Sequence, residues 1–514
     1  MPDALIRLGS ASMNLLLNIP KQYRAKVLFT LAGLLWIGFA YLVMKRKFFE
    51  LLAIPIPMIV VAVTFDDFRK LWYLLIFFLP ISFNLEGLLP GVRITFPTDL
   101  ICITLMLLVI FKIVSERKWF LRFYGHPISI MLLLWFVWQL FTVIGSSMPG
   151  VSLKWVVAFL WMAAAFFFLS VLIFREEKNI LWFFWLIGFA FVLVMLTILF
   201  LYVKTGRNPF GGLRFNPMPF FNDHTVFGAF TATMVPIFFL FTFSGKFSRN
   251  YRILAAGVLF FFLLGLYLSY SRGAWMSMIA GMGLMGLFVI RRFLRRIAPL
   301  LLVGAAGLGI WLLTHNTGTD IRNDAISRKT LGGHVKSITN FKTDDSNAER
   351  VNRWKCALRM WEERPMLGWG PGTYAMLYGD FQRGVDRTLI STNRGDNGTA
   401  HNEFLLALSE SGTIGMSMML LFFIVPIWFG LRGYIKARAP NVRILYLGVT
   451  FGIVIYFIHA FVNNFLDQDK IGGTLFGFFA VIVALDIFWL KREKEEALRR
   501  FKSGQEGMEP HEQG

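Results

Sequence analysis

The strongest constraint on this chain is a succession of sparsely charged apolar runs, most of them long enough to cross a lipid bilayer. They fall near residues 27–44, 49–65, 71–84, 98–115, 127–146, 151–174 and 179–203, and again near 225–243, 251–270, 273–290, 297–313, 414–431, 443–464 and 472–490. A helix of about 20 apolar residues spans the roughly 30 Å of hydrocarbon. In lipid every backbone polar group must also be satisfied within the structure. The expected fold is therefore an all-α membrane protein, a polytopic helical bundle of about 12–14 transmembrane helices with one large external loop. Composition agrees. Charged residues make up only 16% of the 514 residues, against roughly 25% in soluble domains, too few to coat several such domains. The 56 Phe and 16 Trp suit lipid-facing surfaces and interfacial belts, and they exclude disorder, collagen and coiled coil. With two cysteines, Cys102 in an apolar run and Cys356 in a polar one, there is neither a disulfide framework nor metal-ligand spacing.

The net charge of +21 would suit nucleic acid in a soluble protein. Here its distribution points to topology instead. Basic clusters recur at Arg117–Lys118–Arg122, Lys246–Arg249–Arg252, Arg291–Arg292–Arg295–Arg296, Arg432–Lys436–Arg438–Arg443 and in the tail from Lys491. With alternating spans, all of these share one side, which the positive-inside rule makes the cytoplasm. Both termini are then cytoplasmic, and only Lys45-Arg46-Lys47 falls on the wrong side. Residues 1–26 carry no small-residue cleavage site behind a short apolar core, so the first span is expected to act as the insertion signal.

This orientation puts three segments outside: residues 204–224, the turn Ser271-Arg272-Gly273, and a stretch from about 314 to 413. A loop far beyond 15 residues in a compact protein usually serves function. Arg272 stands at the mouth of two spans, where a guanidinium snorkels, pairs or meets an anion. The long loop holds an amphipathic stretch, Asn347 to Leu358, followed by Pro365-Met366-Leu367-Gly368-Trp369-Gly370-Pro371-Gly372. That glycine-rich piece lacks the Gly-Lys-Ser/Thr of a phosphate-binding loop and follows no parallel strand. His401 opens a helix expected to enter the bilayer, with Glu410 about two and a half turns on. Its imidazole has a pKa suited to proton transfer near neutrality. Further polar groups lie at Arg214, Asn216, Asn222, Asp223 and His224, and at His459, Asn463, Asn464, Asp467 and Asp469. No pattern of metal ligands and no serine nucleophile elbow is present in the sequence. The inventory suits holding a diphosphate with arginine and moving a proton with histidine.

Taken in order, these pieces resemble the O-antigen ligase and O-antigen polymerase family of bacterial membrane glycosyltransferases. The resemblance rests on Ser271-Arg272-Gly273-Ala274-Trp275, on Arg350 ahead of Trp354, on the 365–372 turn, and on His401-Asn402-Glu403-Phe404-Leu405 running to Glu410-Ser411-Gly412-Thr413-Ile414-Gly415. Arg214-Phe215-Asn216-Pro217 with Asn222-Asp223-His224 is similar to the family's upstream outer turn. It implies a periplasmic loop over a cavity in the inner membrane, a glycan donor on undecaprenyl diphosphate, and a sugar hydroxyl as acceptor. Ligases use the lipid A core as acceptor and polymerases another lipid-linked repeat unit. It further implies His401 as base, Arg272 and Arg350 as diphosphate ligands, supporting roles for Arg214, Glu410 and His459, and no metal or other cofactor. The expected partners are the lipid-linked donor, the lipid A core or glycan acceptor and membrane lipids, with no nucleic acid.

The expected division is 1–204 for N-terminal spans, 205–470 for the ligase- or polymerase-like core, 471–490 for the last span and 491–514 for a charged cytoplasmic tail. Ligase is favoured over polymerase because the His401 segment and the loop size look ligase-like. Two rivals come from other classes: a receptor or structural membrane protein, which would need no cationic pocket below its loop, and a polysaccharide transporter or flippase. The latter should show an internal repeat and ionisable residues at mid-membrane depth, whereas Lys112 and Asp486 read as lying near the cytoplasmic ends of their spans.

Overall fold

The computed structural model describes residues 67–89, 92–115, 125–206, 215–290, 345–388, 391, 398–493 and 495. The expected spans at 27–44, 49–65 and 297–313, the Lys45-Arg46-Lys47 cluster, Arg214 and both chain ends lie outside these residues.

Nine helices among the described residues are long and apolar enough to cross a membrane. They are α3 (Pro127–Ile144), α4 (Pro149–Ile173), α5 (Glu177–Lys204), α6 (His224–Phe243), α7 (Arg249–Leu268), α8 (Arg272–Ile290), α10 (Glu403–Lys436), α11 (Pro440–His459) and α12 (Asp469–Glu493). Two apolar helices precede them, α1 (Phe68–Ile81) and α2 (Thr98–Ser115), and α9 (Asp345–Glu363) belongs to the long loop. The molecule is a multi-pass helical membrane protein.

One element departs from the all-helical expectation. The run at 71–84 is a 14-residue helix, about 21 Å long, that stops at Ser82 and passes into an antiparallel hairpin of β1 (Phe83–Leu89) and β2 (Val92–Phe96). The pairing sets Phe83 opposite Phe96 and Asn84 opposite Thr95. In the sequence, Pro90-Gly91 between Leu89 and Val92 was the turn signal, masked by the apolar run ahead of it.

α6, α11 and α12 form the buried centre, and α11 packs against α6, α8 and α10. Lipid offers little hydrophobic drive between helices, so close packing over small residues holds the bundle together. A Cβ at Gly281 would lie 2.3 Å from Ile455 Cγ1, and one at Gly452 2.9 Å from the Thr233 carbonyl. Asp486 accepts a hydrogen bond from the Tyr446 hydroxyl and lies 3.2 Å from His126 Nε2, tying α12 to α11 and to the start of α3. Cys102 and Cys356 are free and buried in separate parts of the molecule.

The connections joined by hydrogen bonds sort onto two faces. Ser147 N–H donates to the Trp369 carbonyl (3.0 Å), Trp369 N–H to the Ser409 carbonyl, and Glu403 N–H to the Ala460 carbonyl (2.9 Å), so 145–148, the 365–372 turn and the segment after His459 share one face. On the other face Asn441 Nδ2 donates to Glu177, and the N–H of Arg438 donates to Glu493 (2.9 Å).

Two expected boundaries change. α11 ends at His459 rather than near 464, which leaves Asn463 and Asn464 in a turn at the loop face. The helix opened by His401 does not run smoothly into the bilayer: Gly412 breaks it with φ 71° and ψ −171°. The glycine-rich turn and this break explain each other. A break in a helix frees carbonyls and N–H groups that must find partners. Trp369 N–H donates to the Ser409 carbonyl (3.0 Å), Gly370 N–H to Glu410 (2.8 Å), and Thr413 N–H to Pro365 (2.9 Å). Trp138 Nε1 donates to the Ser411 carbonyl (3.0 Å). The approach is close enough to exclude side chains, since a Cβ at Gly412 would lie 2.0 Å from the Met366 carbonyl oxygen. The long loop is thus pinned into a transmembrane helix by backbone hydrogen bonds.

Candidate active site

The site assembles where the long loop meets the loop-face ends of α6, α8, α10 and α11. The segment His401-Asn402-Glu403 divides three tasks among adjacent residues. Asn402 is the N-cap of α10: its Oδ1 accepts from the N–H groups of Phe404 and Leu405 (2.9 Å each), and its Nδ2 donates to the Phe461 carbonyl (2.9 Å). Such a cap is typically worth about 1 kcal/mol. Glu403 Oε1 accepts from the Tyr456 hydroxyl (2.7 Å) and from Leu466 N–H (2.8 Å). Held between these anchors, His401 adopts a left-handed backbone with φ 49°.

A left-handed non-glycine residue costs of order 1–3 kcal/mol and persists where its surroundings impose it. Among the described residues only two non-glycines have positive φ, His401 and Tyr270, the latter two residues before Arg272. One of the two is thus an expected functional residue, and the other lies two residues from one.

His401 Nδ1 lies 3.2 Å from Asn463 Oδ1, and Asn463 Nδ2 lies 3.1 Å from His459 Nε2. His459 in turn rests against Gly273, where a Cβ would come within 3.3 Å of its Cε1. A continuous contact chain therefore runs from the Arg272 turn through His459 and Asn463 to His401. Arg272 opens α8, at the end where the helix dipole favours anions.

α9 supplies the other arginines. Arg350 Nη1 donates to Asn347 Oδ1 (3.1 Å). Arg353, one turn on, is largely buried: its Nε donates to Glu349 Oε1 (2.9 Å) and its Nη1 to the Thr399 carbonyl (3.1 Å), and its guanidinium stands 5.3 Å over the Tyr378 ring. Arg353 thus carries the strand of loop that leads into His401. Glu349 also accepts from Thr388 Oγ1 (2.9 Å) and from the Ser391 hydroxyl. Burial raises the Glu349 carboxyl, but the hydrogen bonds from Ser391, Arg353 and Thr388 outweigh it, so this carboxyl titrates below its ordinary range. Beneath this clasp a small separate core gathers Cys356, Ala357, Met360, Tyr374, Tyr378 and Ala400.

Electrostatics keep His401 neutral. Its pKa is pushed down to about 4, first by burial, then by the positive charges of Arg350 and Arg353. The Asn463 hydrogen bond and the negative charge of Asp223 act the other way. Asp223 is the N-cap of α6, accepting from Thr225 Oγ1 (2.6 Å) and from His224 Nδ1, 3.1 Å away.

Of the residues singled out in the sequence, the structure brings His401, Arg350 and His459 together and connects Arg272 to them through Gly273. Glu410 stands apart from His401. Its Oε1 accepts the N–H of Tyr374 (2.9 Å), which anchors the glycine-rich turn. Sequence reasoning assigned no role to Asn463 or Arg353. The Arg353 signal was available, because Arg350 and Arg353 are spaced to share a helix face. Asn463 had a local signal only toward His459, four residues before it, and none toward His401, 62 residues away. Among the described residues no three His, Cys, Asp or Glu side chains are arranged to hold a metal ion.

Residues 257–420 match the family described as O-antigen ligase, and no curated protein matches the chain. The matched stretch runs from α7 into α10 and takes in Arg272, Arg350, His401 and Glu410, leaving His459 and Asn463 beyond it. The chain is a multi-pass membrane protein whose residues 257–420 match the O-antigen ligase family.

Proposed function

We propose that this protein is an O-antigen ligase that moves a glycan from undecaprenyl diphosphate to a sugar hydroxyl of the lipid A core, at the periplasmic face of the bacterial inner membrane. The observation that carries the reading is His401: a histidine in a strained backbone, partly buried, kept neutral beside arginines. In the reaction, the acceptor hydroxyl oxygen bonds to the anomeric carbon while the bond from that carbon to the phosphate oxygen breaks. His401 Nε2 takes the hydroxyl proton, and undecaprenyl diphosphate leaves with the bonding pair. A base of this kind typically supplies 10²–10⁴-fold. Arg272 and Arg350 hold the diphosphate and meet the charge that grows on the leaving oxygen. Their planar guanidinium forks suit bidentate phosphate contact. Arg353 is engaged with Glu349 and Thr399 and serves the loop rather than the donor. The positive-inside pattern supports the periplasmic placement, because the clusters Lys246–Arg252 and Arg432–Arg443 lie on the face opposite the site.

The reading is tested with the purified chain in lipid nanodiscs, given a lipid-linked glycan and either lipid A core or a second lipid-linked glycan. The proposal expects transfer to the core, abolished in His401→Ala with donor binding retained. Elongation of the lipid-linked glycan in place of transfer to the core would make the protein a polymerase. A His401→Ala protein that works at the parent rate would remove His401 from the mechanism.

A further inference from the structure

We infer that Asn463, seated between His401 and His459, is a positioning residue that fixes the tautomer of His401. The inference rests on His401 being the base. A neutral imidazole carries one proton on two nitrogens, and it can accept another only at the nitrogen left bare. His401 Nδ1 is 3.2 Å from Asn463 Oδ1, an atom that only accepts. Nδ1 must then carry the proton, and Nε2 presents its lone pair to the acceptor hydroxyl.

An amide satisfies this condition only while it is prevented from turning over, because its NH₂ group in the same place would put the proton on Nε2 and disable the base. In the structure the NH₂ group is turned toward His459 instead. Asn463 Nδ2 lies 3.1 Å from His459 Nε2, and in this orientation His459 Nε2 accepts and the His459 proton is on Nδ1. Asn463 and His459 are each 1% exposed, so bulk water does not compete for either group. The backbone is fixed as well, since the N–H groups of Val462 and Asn463 both donate to the His459 carbonyl (3.0 and 3.1 Å).

The choice of an amide over a carboxylate also has a physical reason. The charged groups acting on His401 are Arg350, Arg353 and Asp223, and Arg272 adjoins the relay through Gly273. A carboxylate at position 463 would orient His401 equally well, but it would attract the arginines that the donor diphosphate needs. A neutral acceptor sets the tautomer without that competition.

The test uses the full-length chain in nanodiscs, with ¹⁵N-labelled histidine and His401→Gln and His459→Gln proteins to assign the signals. The parent is expected to show His401 and His459 each protonated at Nδ1 and bare at Nε2. In Asn463→Ala, His401 is expected to gain the Nε2-protonated form, and kcat to fall by about 10²-fold, within the range a base supplies, with donor KM nearly unchanged. Asn463→Asp is expected to restore most of kcat, raise donor KM and move the acid limb of the rate profile upward, which a purely structural role would not do. Nε2 protonation of His401 in the parent would overturn the inference, and that measurement requires no variant at position 463 to fold. So would an Asn463→Ala protein with parental kcat while His401→Ala is inactive. If His401→Ala is itself active, the base assignment falls instead.

Discussion

The acid limb of the rate profile is the sharpest consequence of the environment around His401. Free histidine titrates near 6.5, and a base of that pKa would be only about 9% neutral at pH 5.5. Burial and the charges of Arg350 and Arg353 push His401 down to about 4, which leaves about 97% of it neutral at the same pH. The expected difference in kcat/KM at pH 5.5 is therefore about tenfold, and kcat/KM should hold nearly flat from pH 7.5 to 5.5. The profile of kcat reports the complex rather than the free enzyme. There the bound diphosphate offsets the arginine charge, so its acid midpoint should lie above that of kcat/KM. Arg350→Gln should raise the kcat/KM midpoint as well, but only part of the way to 6.5, because burial is the larger cause. The assay is glycan transfer by the nanodisc-embedded protein from pH 4.5 to 8, with thermal unfolding followed at each pH to separate loss of fold. A kcat/KM midpoint at 6 or above in the parent would refute the argument.

Other consequences follow from single contacts. Arg272→Lys and Arg350→Lys should each lose about 10- to 100-fold in kcat/KM at normal protein levels, the equivalent of one charge-assisted hydrogen bond of roughly 1.5–3 kcal/mol; full activity in both would end their assignment to the diphosphate. Glu410→Gln should retain activity, because its amide oxygen can still accept from Tyr374 N–H, whereas Glu410→Ala strands a buried donor at about 1–3 kcal/mol and should lower the unfolding temperature. If both variants lose activity equally while folded, Glu410 has a chemical role beyond anchoring. Gly412→Ala places a Cβ 2.0 Å from the Met366 carbonyl oxygen and should release the 365–372 turn, seen as faster proteolysis there; unchanged proteolysis would contradict the pinning. Val385, 86% exposed, should as Val385→Cys react with an impermeant thiol reagent from the periplasmic side of spheroplasts, and Lys436→Cys should not. The reverse pattern would place the site in the wrong compartment.

Apolar run length was enough to set the class of the protein and to find the nine helices among the described residues that can cross a membrane. Those properties depend on each residue's own transfer energy into lipid and hardly on its neighbours. Short motifs pointed to the pieces of the candidate site, because Arg272, Arg350 and His401 lie in segments whose residue types are chemically unusual beside apolar spans. Where α11 would stop was less legible. Apolar residues continue past His459, and the end is set by Glu403 N–H docking on Ala460 and by the turn that carries Asn463. The hairpin after α1 was hidden for a related reason, as an apolar strand and the end of an apolar helix look alike in hydropathy.

What only the tertiary structure decided is how those pieces meet. The break at Gly412 and the turn at 365–372 are two irregular stretches far apart in sequence. Each makes sense only as the hydrogen-bonding partner of the other. Likewise Glu410, in sequence a candidate for chemistry, is in space the anchor of Tyr374, while Asn463, in sequence one polar residue among several, stands between two histidines. Lipid solubility is summed along the chain and can be read there. Hydrogen bonds depend on distance and direction between groups that the chain alone does not bring together.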